Sequence, residues 1–227
     1  TGTFDKPNSL CVAGERLPYV LHSITELEIK INRELTPKSD PVLIVGAGLS
    51  AADAILYALS HGIQVVHVFR RHPSDPQIVY KQLPNKLYPE YHKVHSLMSE
   101  EESEDGQYKA FPQSCVHQFM SDGKVTIRNL LTNTDTVLKT SFAVVLIGSR
   151  PDLSFFHGDG KNLGRIPGVA IDSKHNPIDV DPYTYQSTKE PGLFALGPLT
   201  GHNFVRFLRG GGLAITSYLW RKRQGLL

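Results

Sequence analysis

The sequence has few of the residues that mark metal sites, membrane spans and disulfide scaffolds. It has two cysteines in 227 residues, Cys11 and Cys115, which we interpret as a reduced intracellular thiol pair. Because no histidines show His-x-x-x-His spacing and no cysteines show Cys-x-x-Cys spacing, we expect no metal site. No apolar run is long enough to span a membrane. Residues 1–5 are polar, so we expect no secretory signal peptide.

The chain also lacks a strong charge of either sign. The formal net charge is +2, which predicts no strong attraction to nucleic acid or to a membrane surface. With 40% apolar residues and a length that allows about 70% of the unfolded surface to be buried, the chain is typical of a globular protein. We expect it to be intracellular and most simply cytoplasmic, with the nucleus and the mitochondrion left open. Because it begins with Thr rather than Met, we also expect it to be part of a longer protein.

A glycine motif directly after a short apolar run is the most informative feature. Residues 42–45 are continuous and β-branched, as in a buried parallel strand. Gly46 permits a tight turn, and Gly48 lets a pyrophosphate approach the backbone at the start of a helix, whose free N–H groups and dipole favour the phosphate. The candidate cofactor-binding residues here are Gly46, Ala47, Gly48, Leu49, Ser50 and Ala51.

The residues that follow supply the rest of a βαβ unit. Apolar spacing predicts a helix over 50–60, Gly62 is placed for a left-handed C-terminal cap, and residues 64–69 form the next predicted strand. The motif is G-x-G-x-x-A, in which Ala51 still allows close packing of helix on strand. Ser50 either caps the helix or binds phosphate. The alternative to a dinucleotide site is a glycine turn in an unrelated α/β sheet.

Two arginines stand where the second strand ends. NAD-binding domains place Asp or Glu there to bind the ribose hydroxyls, whereas a guanidinium can bind a 2′-phosphate. Arg70 and Arg71 therefore favour NADP(H) over NAD(H). The alternative is that both arginines are simply solvated.

The remainder predicts a small antiparallel sheet and a less regular end. Residues 71–90 are predicted to be irregular, and residues 91–98 are predicted to form a short helix. Asp122-Gly123 is a turn signal that connects two strands, 116–120 and 124–128, into a hairpin. A third strand follows at 136–138. A buried strand over 142–148 ends at Gly148, which we add to the candidate cofactor-binding residues. Beyond it we predict a loop over 158–182, a buried strand at 193–197 and a helix over 211–221.

Several local sequences resemble flavin-containing monooxygenases. The Thr-Gly turn at 1–4, Pro7, Pro18 and His22-Ser23 look like the segment that leads from the FAD domain into the NADPH domain. More specific matches lie at 82–93, 145–155, 176–182, 195–199 and 203–207. Together these motifs resemble the carboxy-terminal half of the oxidative stress-induced growth inhibitor family, over nearly the whole chain.

That resemblance implies a division of the chain and a second cofactor. It implies that 1–40 is a linker from an FAD-type domain, 41–148 an NAD(P)-binding Rossmann-like domain with a central parallel sheet, and 149–227 the returning part of the FAD-type domain. Gly197 and the helix opening at residues 210–212 would face the flavin, which makes Gly197, Gly211 and Gly212 candidate cofactor residues. Close helix packing through the glycines is the equal alternative.

Two departures from the family affect the FAD site. The chain has no second G-x-G-x-x-G motif for the FAD pyrophosphate, so FAD is expected only in the full-length protein. The family's Gly-Asp-Asn is here Gly201-His202-Asn203, which replaces an acidic side chain with an imidazole.

Two functions remain open at this point. The resemblance implies a regulator of growth and differentiation that responds to oxidative stress on an FAD/NAD(P)-binding scaffold. The alternative is an NADPH- and FAD-dependent monooxygenase or oxidoreductase in which the flavin does the chemistry, which would explain why no catalytic residue can be named. We discard a short-chain reductase that would use the Tyr-x-x-x-Lys pair of Tyr218 with Lys222, because this pair lies at the end of the terminal helix. Fold alone does not decide between regulator and enzyme.

Overall fold

The computed structural model describes residues 5–100, 102–202 and 207–226. They divide into two compact units, one of residues 7–148 and one made of the described residues before Pro7 and after Gly148. The strands are β1 (Asp5–Pro7), β2 (Val20–Leu21), β3 (Val42–Val45), β4 (Val65–Val68), β5 (Tyr108–Phe111), β6 (Ser114–Phe119), β7 (Lys124–Asn129), β8 (Asp135–Lys139), β9 (Ala143–Val145) and β10 (Ser149–Pro151). The helices are α1 (Ile24–Glu34), α2 (Leu49–Ser60), α3 (Val79–Gln82), α4 (Pro89–Glu100) and α5 (Leu208–Arg223).

A five-stranded parallel sheet forms the centre of the unit 7–148. Its order is β2-β9-β3-β4-β5, with Val42 opposite Val65 and Leu43 opposite Ala143. The chain proceeds from β3 to β4 and β5 on one side, then returns to the other side of β3 with β9. Such a reversal of strand order opens a crevice beyond the carboxyl ends of the strands.

Each face of this sheet is covered by a different layer. Helices α1, α2 and α4 bury Ile31, Ile55 and Met98 on one face. The antiparallel sheet β6-β7-β8 packs Val116 and Ile127 against the other. The predicted fold class, a Rossmann-like α/β domain with a small antiparallel cover, is confirmed.

Helix α2 ends as its sequence predicts. Gly62 adopts φ +69°, and its N–H donates to the carbonyl of Leu59 while the N–H of Ile63 donates to that of Ala58. This pairing satisfies carbonyls that the end of a helix leaves free, and it requires the left-handed conformation that glycine adopts without strain.

Residues 7–40 belong to the same unit as the sheet, whereas the sequence predicted a linker over 1–40. Val20 pairs with Ala143 in the sheet, and Ser23 caps α1 by accepting a hydrogen bond from the N–H of Glu26. The buried Glu15 carboxylate binds the N–H groups of Leu10 and Cys11. Although burial raises the pKa of Glu15, hydrogen bonds from the Ser9 hydroxyl, from His22 and from these N–H groups outweigh it and hold that pKa below its usual value. Proline and glycine in this stretch therefore mark turns between packed elements.

The other unit is mostly irregular. Its core consists of Leu153, Leu163, Ile171, Ile178 and Ala195, and two 3-10 turns lie at His157–Gly160 and Gly197–Thr200. The buried strand predicted at 193–197 is wrong, since that segment makes only an isolated bridge, from Phe194 to Gln186. Pro191-Gly192 before it and Pro198 after it interrupt a ladder.

Helix α5 is longer than the predicted 211–221 and buries little of its surface. Gly211 is its one buried residue in the described chain, while Leu213 and Trp220 are 72% and 58% exposed. Lys222 Nζ lies 6.0 Å from the ring centroid of Tyr218, a cation–π contact. Among the described helices, none is both long enough and apolar enough to cross a membrane.

Candidate functional site

The turn after β3 brings two backbone segments into contact. Gly46 adopts φ +128°, and a β-carbon there would overlap the carbonyl oxygen of Leu146, just beyond β9. The N–H of Gly46 donates to the carbonyl of Val68 at the end of β4. Gly46 is therefore required by the close approach of three strand ends, at the edge where the strand order reverses.

Gly48 is different, because the space beside it is open. It is the N-cap of α2 with φ −96°, and a β-carbon there would meet no atom within 4 Å. No side chain caps α2, and the N–H groups of Leu49 and Ser50 have no hydrogen-bond partner in the described parts of the chain. Unpaired N–H groups beside open space at a helix N-terminus fit a phosphate.

The other motif residues divide between packing and exposure. Ser50 is exposed and does not cap the helix, so its predicted capping role is wrong and phosphate binding stays a prediction. Ala51 is fully buried in the core between the parallel sheet and the helices α1, α2 and α4. This is the close packing predicted for the third motif position. Ala47 and Leu49 are partly buried against the same core.

A buried histidine lies directly under this turn and was missed by the sequence analysis. His67 in β4 is fully buried, with Nε2 at 2.6 Å from the carbonyl oxygen of Gly46 and Nδ1 at 2.7 Å from the hydroxyl of Tyr108. Burial lowers its pKa to about 4, partly offset by the hydrogen bond to Gly46, so the ring is neutral at pH 7. A central parallel strand that is covered on both faces explains why His67 is buried but does not predict what it binds.

A buried tyrosine holds the other glycine of the turn. The Tyr80 hydroxyl in α3 donates a 2.7 Å hydrogen bond to the carbonyl oxygen of Gly48, and burial raises its pKa well above the usual value. Its ring stacks on Tyr91 at 6.2 Å, and Tyr91 in turn stacks on Tyr88 at 6.0 Å. This segment was predicted as irregular, so no periodicity indicated Tyr80.

The two arginines after β4 are not equivalent. Both are exposed. Arg71 donates to Asp75 at 2.9 Å and to Gln77, which ties it to its own loop. Arg70 makes no hydrogen bond or ion pair with any residue that the structure describes. Of the pair, Arg70 is therefore the side chain available to an added anion.

Gly148 follows β9 at the same edge of the sheet. It adopts φ +91°, and its carbonyl accepts a 2.9 Å hydrogen bond from the N–H of Asn8. The Asn8 amide also donates to the carbonyl of Ile147. Gly148 is therefore the last residue of a short segment, 146–148, that lies beside the Gly46 turn and is held by Asn8.

The three candidate glycines outside this unit occupy different environments. Gly197 has φ +67° in a 3-10 turn. A β-carbon on Gly211 would overlap the side chain of Leu196, whereas one on Gly212 would meet nothing within 4 Å. Helix α5 begins at Leu208 rather than at 210–212, so close packing accounts for Gly211. Positions 1–4 and 203–206, which carry part of the family resemblance, lie outside the described residues.

Neither a metal site nor a disulfide is found in the part of the chain that the structure describes. No group of three or more His, Cys, Asp or Glu side chains there could hold a metal ion. Cys11 and Cys115 are both free thiols.

The sequence matches one known protein family over most of its length. Residues 1–197 match the family described as pyridine nucleotide-disulphide oxidoreductase. The chain belongs to this family.

Relatives with curated descriptions carry a more specific name. Human oxidative stress-induced growth inhibitor 1 is 49% identical over 98% of this chain, and human oxidative stress-induced growth inhibitor 2 is 49% identical over 99%. These alignments cover 47% and 45% of the relatives, so the chain spans about half of their length. The predicted resemblance to this family is confirmed.

Solved structures of reductases have the same fold. A bacillithiol disulfide reductase from Bacillus cereus superposes with a TM-score of 0.67 at 21% identity, over 96% of this chain and 59% of that one. A thioredoxin reductase from T. acidophilum gives a TM-score of 0.65 at 18% identity, over 98% of this chain and 64% of that one. These superpositions show that the chain has the fold of those reductases, and membership of a pyridine nucleotide-disulphide oxidoreductase family implies a dinucleotide cofactor.

Proposed function

We propose that the unit 7–148 binds NADP(H) at the Gly46–Gly48 turn, within a longer protein that regulates growth in response to oxidative stress. The observation that carries the proposal is the uncapped start of α2, where unpaired N–H groups of Leu49 and Ser50 adjoin the open space beside Gly48. A pyrophosphate satisfies those groups without displacing a side chain. When bound, NADPH supplies a hydride; the chain's own residues hold and orient it.

The preference for NADP(H) rests on Arg70. In this arrangement the Arg70 guanidinium binds the 2′-phosphate, and Arg71, held by Asp75 and Gln77, keeps the loop closed. An exposed ion pair such as Arg71–Asp75 contributes little to stability, because water screens both charges. Arg71 therefore contributes mainly to loop shape, while Arg70 contributes most of the discrimination between the two cofactors.

Paired charge reversals test this assignment. Arg70→Glu should weaken the binding of NADP+ by at least about tenfold and the binding of NAD+ much less. Only NADP+ carries the 2′-phosphate, which the new carboxylate would repel. Arg71→Glu, the matched control, should produce a smaller loss of discrimination. Calorimetric titration of both cofactors into each variant gives the comparison. Equal losses for NADP+ and NAD+ in Arg70→Glu would refute the cofactor assignment.

The regulatory role is transferred from the named relatives, and residues 149–227 are proposed as part of an FAD-type domain. Exposed Leu213 and Trp220 on α5 support packing of this helix against a further part of the protein. A second candidate function, an NADPH- and FAD-dependent oxidoreductase, is favoured by the match to a redox family over residues 1–197.

The visible spectrum of the full-length protein separates the two functions. A yellow protein that bleaches with NADPH and recovers its colour in air would support the oxidoreductase. A colourless protein whose thermal stability rises with NADP+ would support the regulator. A protein that responds to neither ligand would refute both cofactor proposals.

A further inference from the structure

The two glycines of the turn share a feature that a dinucleotide-binding motif does not by itself require. The carbonyl oxygen of each is bound by a buried side chain from elsewhere in the unit, Gly46 by His67 and Gly48 by Tyr80. Both side chains have no exposed surface. The two contacts come from different elements, β4 and α3, so the turn is held from two directions.

The chemistry of the first contact fixes the state of the histidine. A carbonyl oxygen only accepts, so Nε2 of His67 carries the hydrogen that reaches Gly46. Nδ1 of the neutral ring then accepts the hydroxyl hydrogen of Tyr108. The chain Tyr108–His67–Gly46 is therefore fully satisfied, with one donor for each acceptor, and it fixes the orientation of the imidazole.

The second contact joins the turn to the loop that carries the arginines. Gly48 also accepts hydrogen bonds from the N–H groups of Ala51 and Ala52, so Tyr80 adds a third donor to the carbonyl at the start of α2. Tyr80 lies shortly after the loop braced by Arg71, Asp75 and Gln77. The same segment therefore presents Arg70 at one end and supports Gly48 at the other.

We propose that His67 and Tyr80 are positioning residues of the nucleotide site. By holding the Gly46 and Gly48 carbonyls against the interior, they orient the peptides between them so that the N–H groups of the turn and of the start of α2 are presented to the pyrophosphate. Neither side chain touches the ligand. The inference rests on the proposed binding of NADP(H) at this turn and names the residues that prepare it.

Removing single hydrogen bonds tests the proposal. Tyr80→Phe keeps the ring stacked on Tyr91 but removes the donor to Gly48. His67→Phe removes the donor to Gly46, and His67→Gln restores an amide donor. Tyr91→Phe is the matched control, because its hydroxyl is not bonded to either glycine in the described structure. Each variant is titrated with NADP+ and with adenosine 2′-monophosphate, which carries the 2′-phosphate but no pyrophosphate.

The expected result is a selective loss. Tyr80→Phe and His67→Phe should each lower the affinity for NADP+ about threefold to tenfold. The affinity for adenosine 2′-monophosphate should stay unchanged. His67→Gln should recover most of the affinity, and Tyr91→Phe should bind as the unmodified protein does. A variant that merely unfolds would lose both ligands together.

Two results would overturn the inference, and they differ from failure of the proposed function. If Tyr80→Phe binds NADP+ as tightly as the unmodified protein, the positioning role is wrong while the nucleotide site stands. If Tyr80→Phe lowers the affinity for both ligands equally, the role of the Tyr80 hydroxyl is structural. If the unmodified protein itself binds no NADP+, the proposed function fails and the positioning role fails with it. Because Tyr80→Phe is a conservative change, the test remains decisive even where His67→Phe does not fold.

Discussion

Gly46 and Leu146 approach each other backbone to backbone at the ends of two neighbouring parallel strands, closely enough that no β-carbon fits on Gly46. This contact lies where the order of the strands in the sheet reverses. It separates the two glycines of the motif, because Gly46 is required by the protein's own packing whereas Gly48 is next to open space. Residues that look equivalent in the sequence therefore differ in what they contribute to the protein.

Gly46→Ala should destabilise the fold itself. The new β-carbon would overlap the Leu146 carbonyl, and φ +128° is strained for alanine. A loss of about 3 kcal/mol in the free energy of unfolding is expected from the combined strain and overlap. Urea unfolding followed by circular dichroism measures this loss. A change below about 1 kcal/mol would show that the two strand ends separate easily.

The stability of the unit should depend on pH through His67. Its pKa is about 6.5 when unfolded and about 4 when folded, so between these values the unfolded chain binds the extra proton. The free energy of unfolding therefore keeps the full contribution of the neutral His67 above about pH 6.5. It falls as the pH decreases toward 4, by about 3 kcal/mol in total.

His67→Gln provides the control for this pH dependence, because glutamine does not titrate. Urea unfolding between pH 7 and pH 4 should show a shallower slope for the variant than for the unmodified protein. Below the window, where the folded-state histidine also takes up a proton, the difference between the two should stop changing. Parallel slopes across the window would contradict the assignment of a buried neutral imidazole.

The neighbouring glycines of α5 should respond in opposite directions to alanine. Gly211→Ala should destabilise by about 1–3 kcal/mol because its β-carbon would overlap the side chain of Leu196. Gly212→Ala should stabilise by up to about 1 kcal/mol, since the added carbon meets nothing and alanine favours a helix. Thermal unfolding of the two variants measures both effects. Equal shifts would mean that Leu196 moves aside readily.

The sequence predicted the elements whose patterns are local. Strand β3, helix α2, strand β4 and the Gly62 cap follow from a continuous apolar run, a helical stripe and glycine in the left-handed conformation. Strand β5 was missed because it has four residues with Lys109 exposed among them. The strand β2 has only two residues and gains its stability from pairing with β9, which no local pattern reports.

Candidate site residues could be predicted only where the residue type alone suggests the chemistry. The glycines and Arg70 could be identified because turn geometry and charge are properties of the residues. The inequality of Arg70 and Arg71 depends on where Asp75 lies, and the roles of His67 and Tyr80 depend on which carbonyls they meet. Such contacts are set by tertiary packing rather than by sequence spacing.

Calorimetric titration of NADP+ into the unmodified protein and into Gly48→Ala is the most direct test of the nucleotide site. The β-carbon of alanine at position 48 would meet no protein atom within 4 Å, so the free energy of unfolding should change by less than about 1 kcal/mol. The added methyl group would, however, occupy the space that we assign to the phosphate. We expect the unmodified protein to bind NADP+ and Gly48→Ala to bind it at least about tenfold more weakly. Equal affinity in the two proteins, or no binding by the unmodified protein, would contradict it.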